Sequence, residues 1–136
     1  METSEQEIFE KLGNLFYAIA RDQQVDALEI GKLKMVIRKN WYADPEGADE
    51  RVVPEASHHI VLAMDALMAE ESTAEEAFET FSKFYTSYKT KFPDSLRKKI
   101  LSTAEAITEV FPSQSRLKNN HVIKLRLLFQ NSGLIA

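Results

Sequence analysis

The sequence predicts an all-α protein, a compact bundle of about six amphipathic helices forming a single domain over residues 1–136. Three observations carry that expectation. Apolar residues recur at spacings of three and four through most of the chain, which marks helices with one buried side. Glycine and proline number only four each, and Pro54, Pro93 and Pro112 punctuate apolar segments rather than interrupting them. No stretch alternates apolar and polar residues long enough to form a strand; the β-rich pair Val52-Val53 is too short.

Taken in order, the first helix opens at Ser4 and Glu7, which have capping-box spacing, and its stripe is Ile8, Leu12, Leu15, Phe16 and Ile19. The second begins at Asp26, with Glu29 three residues on. It turns Leu28, Leu33, Val36 and Ile37 inward and ends on Trp41. Residues 42–53 read as a polar, turn-rich loop. Its acids Asp44, Glu46, Asp49 and Glu50 read as solvated, with a second weak cation site as the alternative. Pro54 suits the first turn of a third helix with the stripe Ile60, Val61, Met64, Leu67 and Met68. Asp65 interrupts that stripe and is expected at its exposed edge. His58 and His59, about 100° apart on a helix, cannot chelate one ion together.

Ser72 or Thr73 caps a fourth helix, with Glu75 or Glu76 completing the box. Phe78, Phe81, Phe84, Tyr85 and Tyr88 then form an aromatic face, which at helical spacing reads as core. Pro93 ends that segment. Asp94 is expected to cap a fifth helix with the stripe Leu96, Ile100, Ala104, Ile107 and Phe111, and Arg97-Lys98-Lys99 read as a solvated face. A last helix is expected from about Ser115 to Gln130, with Leu117, Leu125, Leu128 and Phe129 inward.

Composition narrows the function classes. The 44% hydrophobic and 28% charged shares are those of a soluble globular domain. The absence of cysteine excludes disulfides, thiolate catalysis and Cys-based zinc sites. The first ten residues carry four Glu and neither Lys nor Arg, opposite to a secretory leader. No apolar run approaches the ~20 residues of a membrane helix, so the expected address is the cytoplasm. Charge is uneven: residues 1–82 hold 18 Asp/Glu against 7 Lys/Arg, and residues 83–136 hold 3 against 10. Either the two halves offset each other within one domain, or they make a polar surface that orients a partner or a second copy. Nucleic acid is a disfavoured partner, because the basic half lacks a dense basic-aromatic patch. No Gly-rich phosphate loop and no nucleophile spaced beside a base is present, so an enzyme is not expected. A hydrolase using acids around a metal is the weakest alternative.

The candidate site is the acidic link between the first two helices, Asp22-Gln23-Gln24-Val25-Asp26-Ala27-Leu28-Glu29. Asp26 and Glu29 share one side of a helix start, and Asp22 ends the preceding helix. A tight turn between them would gather three carboxylates around a hard divalent cation, the one cofactor this chain suggests. The competing account is capping: acids favour the positive end of a helix, and a capping Asp contributes ~1 kcal/mol without any metal. The spacing is not that of an EF-hand, since position twelve counted from Asp22 is Leu33 and the central Gly is missing.

The segment from Phe16 through Arg21, Asp22 and Val25 to Glu29 resembles the motif of the tellurite-resistance TerB-like family. That motif is an Ala-rich helix end, then Asp-Gly-x-hydrophobic-x-x-x-Glu, then a second amphipathic helix. Asp22, Val25 and Glu29 stand on its Asp, hydrophobic and Glu positions, whereas Gln23 replaces the usual Gly and Arg21 the frequent Ala. The resemblance spans about 15 residues. It implies an all-helical domain linked to metal or oxyanion stress, with an acidic divalent-cation site to which Asp22 and Glu29 would belong; Asp26 joins them as a candidate ligand by its spacing. It also implies occurrence in membrane-associated complexes. The resulting expectation is a non-enzymatic, cytoplasmic, TerB-like domain that binds a protein partner or itself, with divalent-cation binding in a stress response as the alternative.

Overall fold

The computed structural model describes residues 5–22, 30–41, 55–110 and 120–131. These form six α-helices: α1 (Glu5–Asp22), α2 (Ile30–Trp41), α3 (Glu55–Ala69), α4 (Ala74–Ser87), α5 (Asp94–Val110) and α6 (Asn120–Asn131). A short 3-10 turn, Lys89–Lys91, lies between α4 and α5. No strand occurs among the described residues, and the all-α expectation holds.

The bundle is built around α1, which packs mainly on α3 and α4 and also touches α5 and α6. Its expected stripe is buried, and burial extends without a break from Leu15 through Ala20. A helix surrounded by others has no polar side left to offer, which is why its second half is apolar all round. Gly13 sets the approach of α3: a Cβ there would stand 2.6 Å from the Ala63 Cβ and 2.7 Å from the Ile60 carbonyl oxygen. A mid-helix glycine disfavours the helix by about 1 kcal/mol relative to alanine, and close packing supplies the reason to keep it.

The α3–α4 corner is closed by backbone geometry that the sequence did not signal. Ser72 N–H donates to the Leu67 carbonyl at 3.0 Å and Glu71 N–H to the Met68 carbonyl at 3.1 Å. This is the Schellman pattern, and Glu71 fills its left-handed position at φ 55°, where glycine is usual. The Tyr17 hydroxyl then donates to the Ser72 carbonyl at 2.6 Å, pinning the corner to α1. Thr73 caps α4 as expected, its hydroxyl oxygen accepting from Glu76 N–H at 3.1 Å.

The aromatic face of α4 is core. Phe81 and Tyr85 are fully buried, Phe78 and Phe84 nearly so, and Tyr88 lies at the edge. Phe92 joins them, 5.0 Å from Tyr85 and 6.1 Å from Phe81 between ring centroids, and Phe129 of α6 closes the cluster 5.0 Å from Tyr85. The segment expected to stay helical up to Pro93 stops earlier, at Ser87. Tyr88 leaves the helical region (φ −129°, ψ 39°), and Phe92 before the proline (φ −116°, ψ 76°) also stands outside the α region, which pyrrolidine sterics disfavour there. That break swings Phe92 inward.

Two further expectations are corrected in α5. Asp94 stands inside the helix rather than before it: the Arg97 amide already closes on the Pro93 carbonyl at 3.0 Å, and the Asp94 carboxylate engages Arg97 and Lys98. The triad Arg97-Lys98-Lys99 is not a solvated face, because Arg97 is 2% exposed. Arg97 shares the buried face of Ile100 and Ala104, and its guanidinium donates to the Phe92 carbonyl (3.2 Å) in the interior and to Asp94 Oδ1 (3.3 Å) towards the surface.

Candidate functional site

Asp22 is the last residue of α1, and α2 is described from Ile30. The acidic link therefore joins two helices, as expected. The Asp22 side chain, Asp26 and Glu29 lie outside the described residues, as do Gln23, Gln24 and the 42–53 acids. Among the described residues, no group of three or more His, Cys, Asp or Glu is placed to hold a metal ion. His58 is exposed and His59 half-buried, with ring centroids 5.9 Å apart. Asp65 is half-buried on α3, between the exposed edge expected for it and a buried acid with a partner, and pairs with Lys34 of α2 at 3.3 Å. Tyr17 has its hydroxyl pKa raised, chiefly by burial, so it donates its hydrogen bond as a neutral phenol.

The described surface that stands out is the outer side of α6. Helical geometry places Ile123 and Leu127 one turn apart on one face, 41% and 51% exposed. Lys124 rims this pair on one side and Arg126 on the other, and Gln130 continues it. The opposite side holds His121, Val122, Leu125 and Phe129 in the core, with Leu128 half-buried. Arg126 is anchored to Glu105 of α5, whereas Lys124 has no ion-pair partner among the described residues. The sequence expectation placed Leu125, Leu128 and Phe129 correctly inward and passed over Ile123 and Leu127. The available signal was composition: six of the eight residues from Val122 to Phe129 are apolar, more than one buried stripe requires. Two other large apolar side chains are exposed among the described residues, Met35 (68%) on α2 and Leu62 (50%) on α3.

A second polar feature joins α2 to α5. The Trp41 indole N–H donates to Thr103 Oγ1 at 3.0 Å, and the Thr103 hydroxyl donates to the Lys99 carbonyl at 2.9 Å. The Lys99 ammonium sits 4.8 Å from the indole centroid, within cation–π range. Burial lowers the Lys99 pKa. Next door, the Asp94 carboxyl is held below its usual range by hydrogen bonds from Lys98 first and Arg97 second.

Compared with family models, curated proteins and solved structures, the chain matches none. Among the described residues, no helix is long and apolar enough to cross a membrane.

Proposed function

We propose that this chain is a non-enzymatic, TerB-like helical domain of the cytoplasm that works by binding a protein partner, and that the outer face of α6 is its contact surface. The observation that carries the reading is the Ile123–Leu127 pair, left in solvent on a helix whose other side is core. Apolar anchors one turn apart are the unit by which helices read grooves and other helices. Lys124 flanks the anchors with no ion-pair partner among the described residues, whereas Arg126 is paired with Glu105, so the complementary partner is an amphipathic segment that brings an Asp or Glu beside Lys124. The basic balance of residues 83–136 favours the same sign of partner.

The test compares wild type with the double variant Ile123→Asp/Leu127→Asp, using Met35→Asp as a control at a distant exposed apolar site. Proteins captured by wild type from the source cells are purified and titrated directly against all three chains. A partner that binds wild type and Met35→Asp but loses the double variant supports the reading. Equal binding to all three contradicts it.

Divalent-cation binding by Asp22, Asp26 and Glu29 is the second reading, favoured by the helix that ends at Asp22 beside the acidic link. A cation at 100 times its dissociation constant would raise stability by about 2.7 kcal/mol. Thermal melts in millimolar calcium, magnesium, manganese or zinc would resolve that shift, and Asp22→Ala should abolish it. Unchanged melting of wild type in all four ions removes this reading.

A further inference from the structure

Helices α2 and α3 pack against each other and carry opposite charge. Helix α2 holds Lys32, Lys34, Arg38 and Lys39 and no acid, whereas α3 holds Glu55 and Asp65 and neither Lys nor Arg, and Glu70 and Glu71 follow it. Where the two helices adjoin, Lys34 pairs with Asp65 at 3.3 Å. That ion pair is the seam between two outer stripes. Gly31, Met35 and Lys39 run along the outside of α2 at spacings of four, and Leu62, Ala66 and Glu70 do the same on α3; all six are exposed. Met35 and Leu62 are the large apolar side chains exposed outside α6 among the described residues.

We propose that the α2–α3 face binds a second copy of this chain, the basic α2 of each copy lying on the acidic α3 of the other about a two-fold axis. A two-fold contact sets one surface against itself, so a surface made of one basic and one acidic helix is self-complementary when each helix meets its opposite. The Lys34–Asp65 pair makes the same match within one chain. Lys32, Arg38 and Lys39 have no ion-pair partner among the described residues, nor do Glu70 and Glu71, so a second copy supplies counter-charges to both helices at once. Shape agrees with charge. A Cβ at Gly31 would meet no described atom within 4 Å, and Ala66 carries only a methyl, so Met35 and Leu62 of the facing copy have room beside the helix backbones. Helix α6 lacks this self-match, since it carries Lys124 and Arg126 and no acid, and set against itself it would oppose like charges. The inference is independent of the α6 contact surface, and the failure of either leaves the other standing.

The experiment follows the mass of the whole chain by sedimentation, from low micromolar concentration up to about 200 µM. Wild type is compared with two charge-reversed variants, Lys32→Glu/Lys39→Glu and Glu70→Lys/Glu71→Lys, each alone and the two mixed in equal amounts. Wild type should form a dimer that weakens as salt rises from about 0.1 to 1 M, because exposed charges are then screened. Each variant alone should self-associate at least about tenfold more weakly, since like charges face each other on both halves of the contact. The mixture should recover a dimer as tight as that of wild type, because the reversed α2 of one variant faces the reversed α3 of the other. Recovery also shows that both variants are folded. Wild type that stays monomeric throughout overturns the proposal, as does a mixture no tighter than its components. Dimers that survive both reversals but are lost in Ile123→Asp/Leu127→Asp overturn it too, and place self-association on α6.

Discussion

Helices α4 and α6 are both amphipathic, and they spend their apolar residues differently. In α4, Phe78, Phe81, Phe84 and Tyr85 all enter the core, and the solvent side is left to Glu75, Glu76, Glu79 and Lys83. In α6, Val122, Leu125 and Phe129 enter the core while Ile123 and Leu127 remain in solvent. Burial of a large apolar side chain contributes about 1.5–3 kcal/mol, so α4 is accounted for by folding alone. The outer pair of α6, 41% and 51% exposed, contributes less to the folded chain, and on the proposed reading a partner covers the rest.

The largest expected effect sharpens this contrast. Phe81→Ala should lose about 3–5 kcal/mol, because the ring is fully buried and its neighbours are other rings that cannot collapse into the space. Leu127→Ala, on the outer face of α6, should stay within about 0.5 kcal/mol of wild type. Denaturant melts of the two variants check both, and equal losses would erase the distinction between the helices.

Gly13→Ala probes the central packing that both helices depend on. The added methyl would meet the Ile60 carbonyl oxygen, which cannot rotate away. Overpacking of about 1–3 kcal/mol should outweigh the gain of about 1 kcal/mol in helix propensity, giving a net loss by thermal melt. Unchanged or raised stability would mean that α1 and α3 separate without penalty.

Glu71→Gly should act in the opposite direction. The left-handed backbone at Glu71 disfavours an L side chain by about 1–2 kcal/mol, and glycine removes that penalty while adding entropy to the unfolded chain. The expected result is a small gain in midpoint denaturant concentration. A clear loss would show that the Glu71 side chain supports the corner.

How much of this was legible in the sequence differs along the chain in the same way. The α4 core followed directly from aromatic spacing, and the Thr73 cap from its box. Helix α6 was half legible: periodicity selects the buried side but does not say what covers the other. Arg97 was misread because its charge suggested solvent, while its spacing to Ile100 and Ala104 already placed it on the inner face. The early end of α4 and the left-handed Glu71 had no local signal, since neither position carries glycine. The acidic link was legible as a break between helices, but the metal reading needs the placement of Asp22, Asp26 and Glu29 side chains, which lie outside the described residues.

The smallest expected effect concerns pH at the start of α5. The folded-state pKa of Asp94 is lowered by Lys98 and Arg97, so its stabilising contribution is present above the ordinary carboxyl pKa and is lost as pH falls through the folded value. Asp94→Asn should therefore be less stable than wild type near neutrality and converge with it in acid. Parallel stability curves at all pH values would remove Asp94 from that role.

The claim that most needs testing is that the outer face of α6 is built for contact rather than for folding. The direct measurement is the affinity of the captured partner for wild type and for Ile123→Asp/Leu127→Asp, made beside unfolding curves of the same two preparations. The account predicts that the two substitutions together lower stability by no more than about 1–2 kcal/mol, leaving the double variant folded, and a dissociation constant at least about tenfold weaker for it, equivalent to about 1.4 kcal/mol of binding. Equal affinities with both chains folded would contradict it.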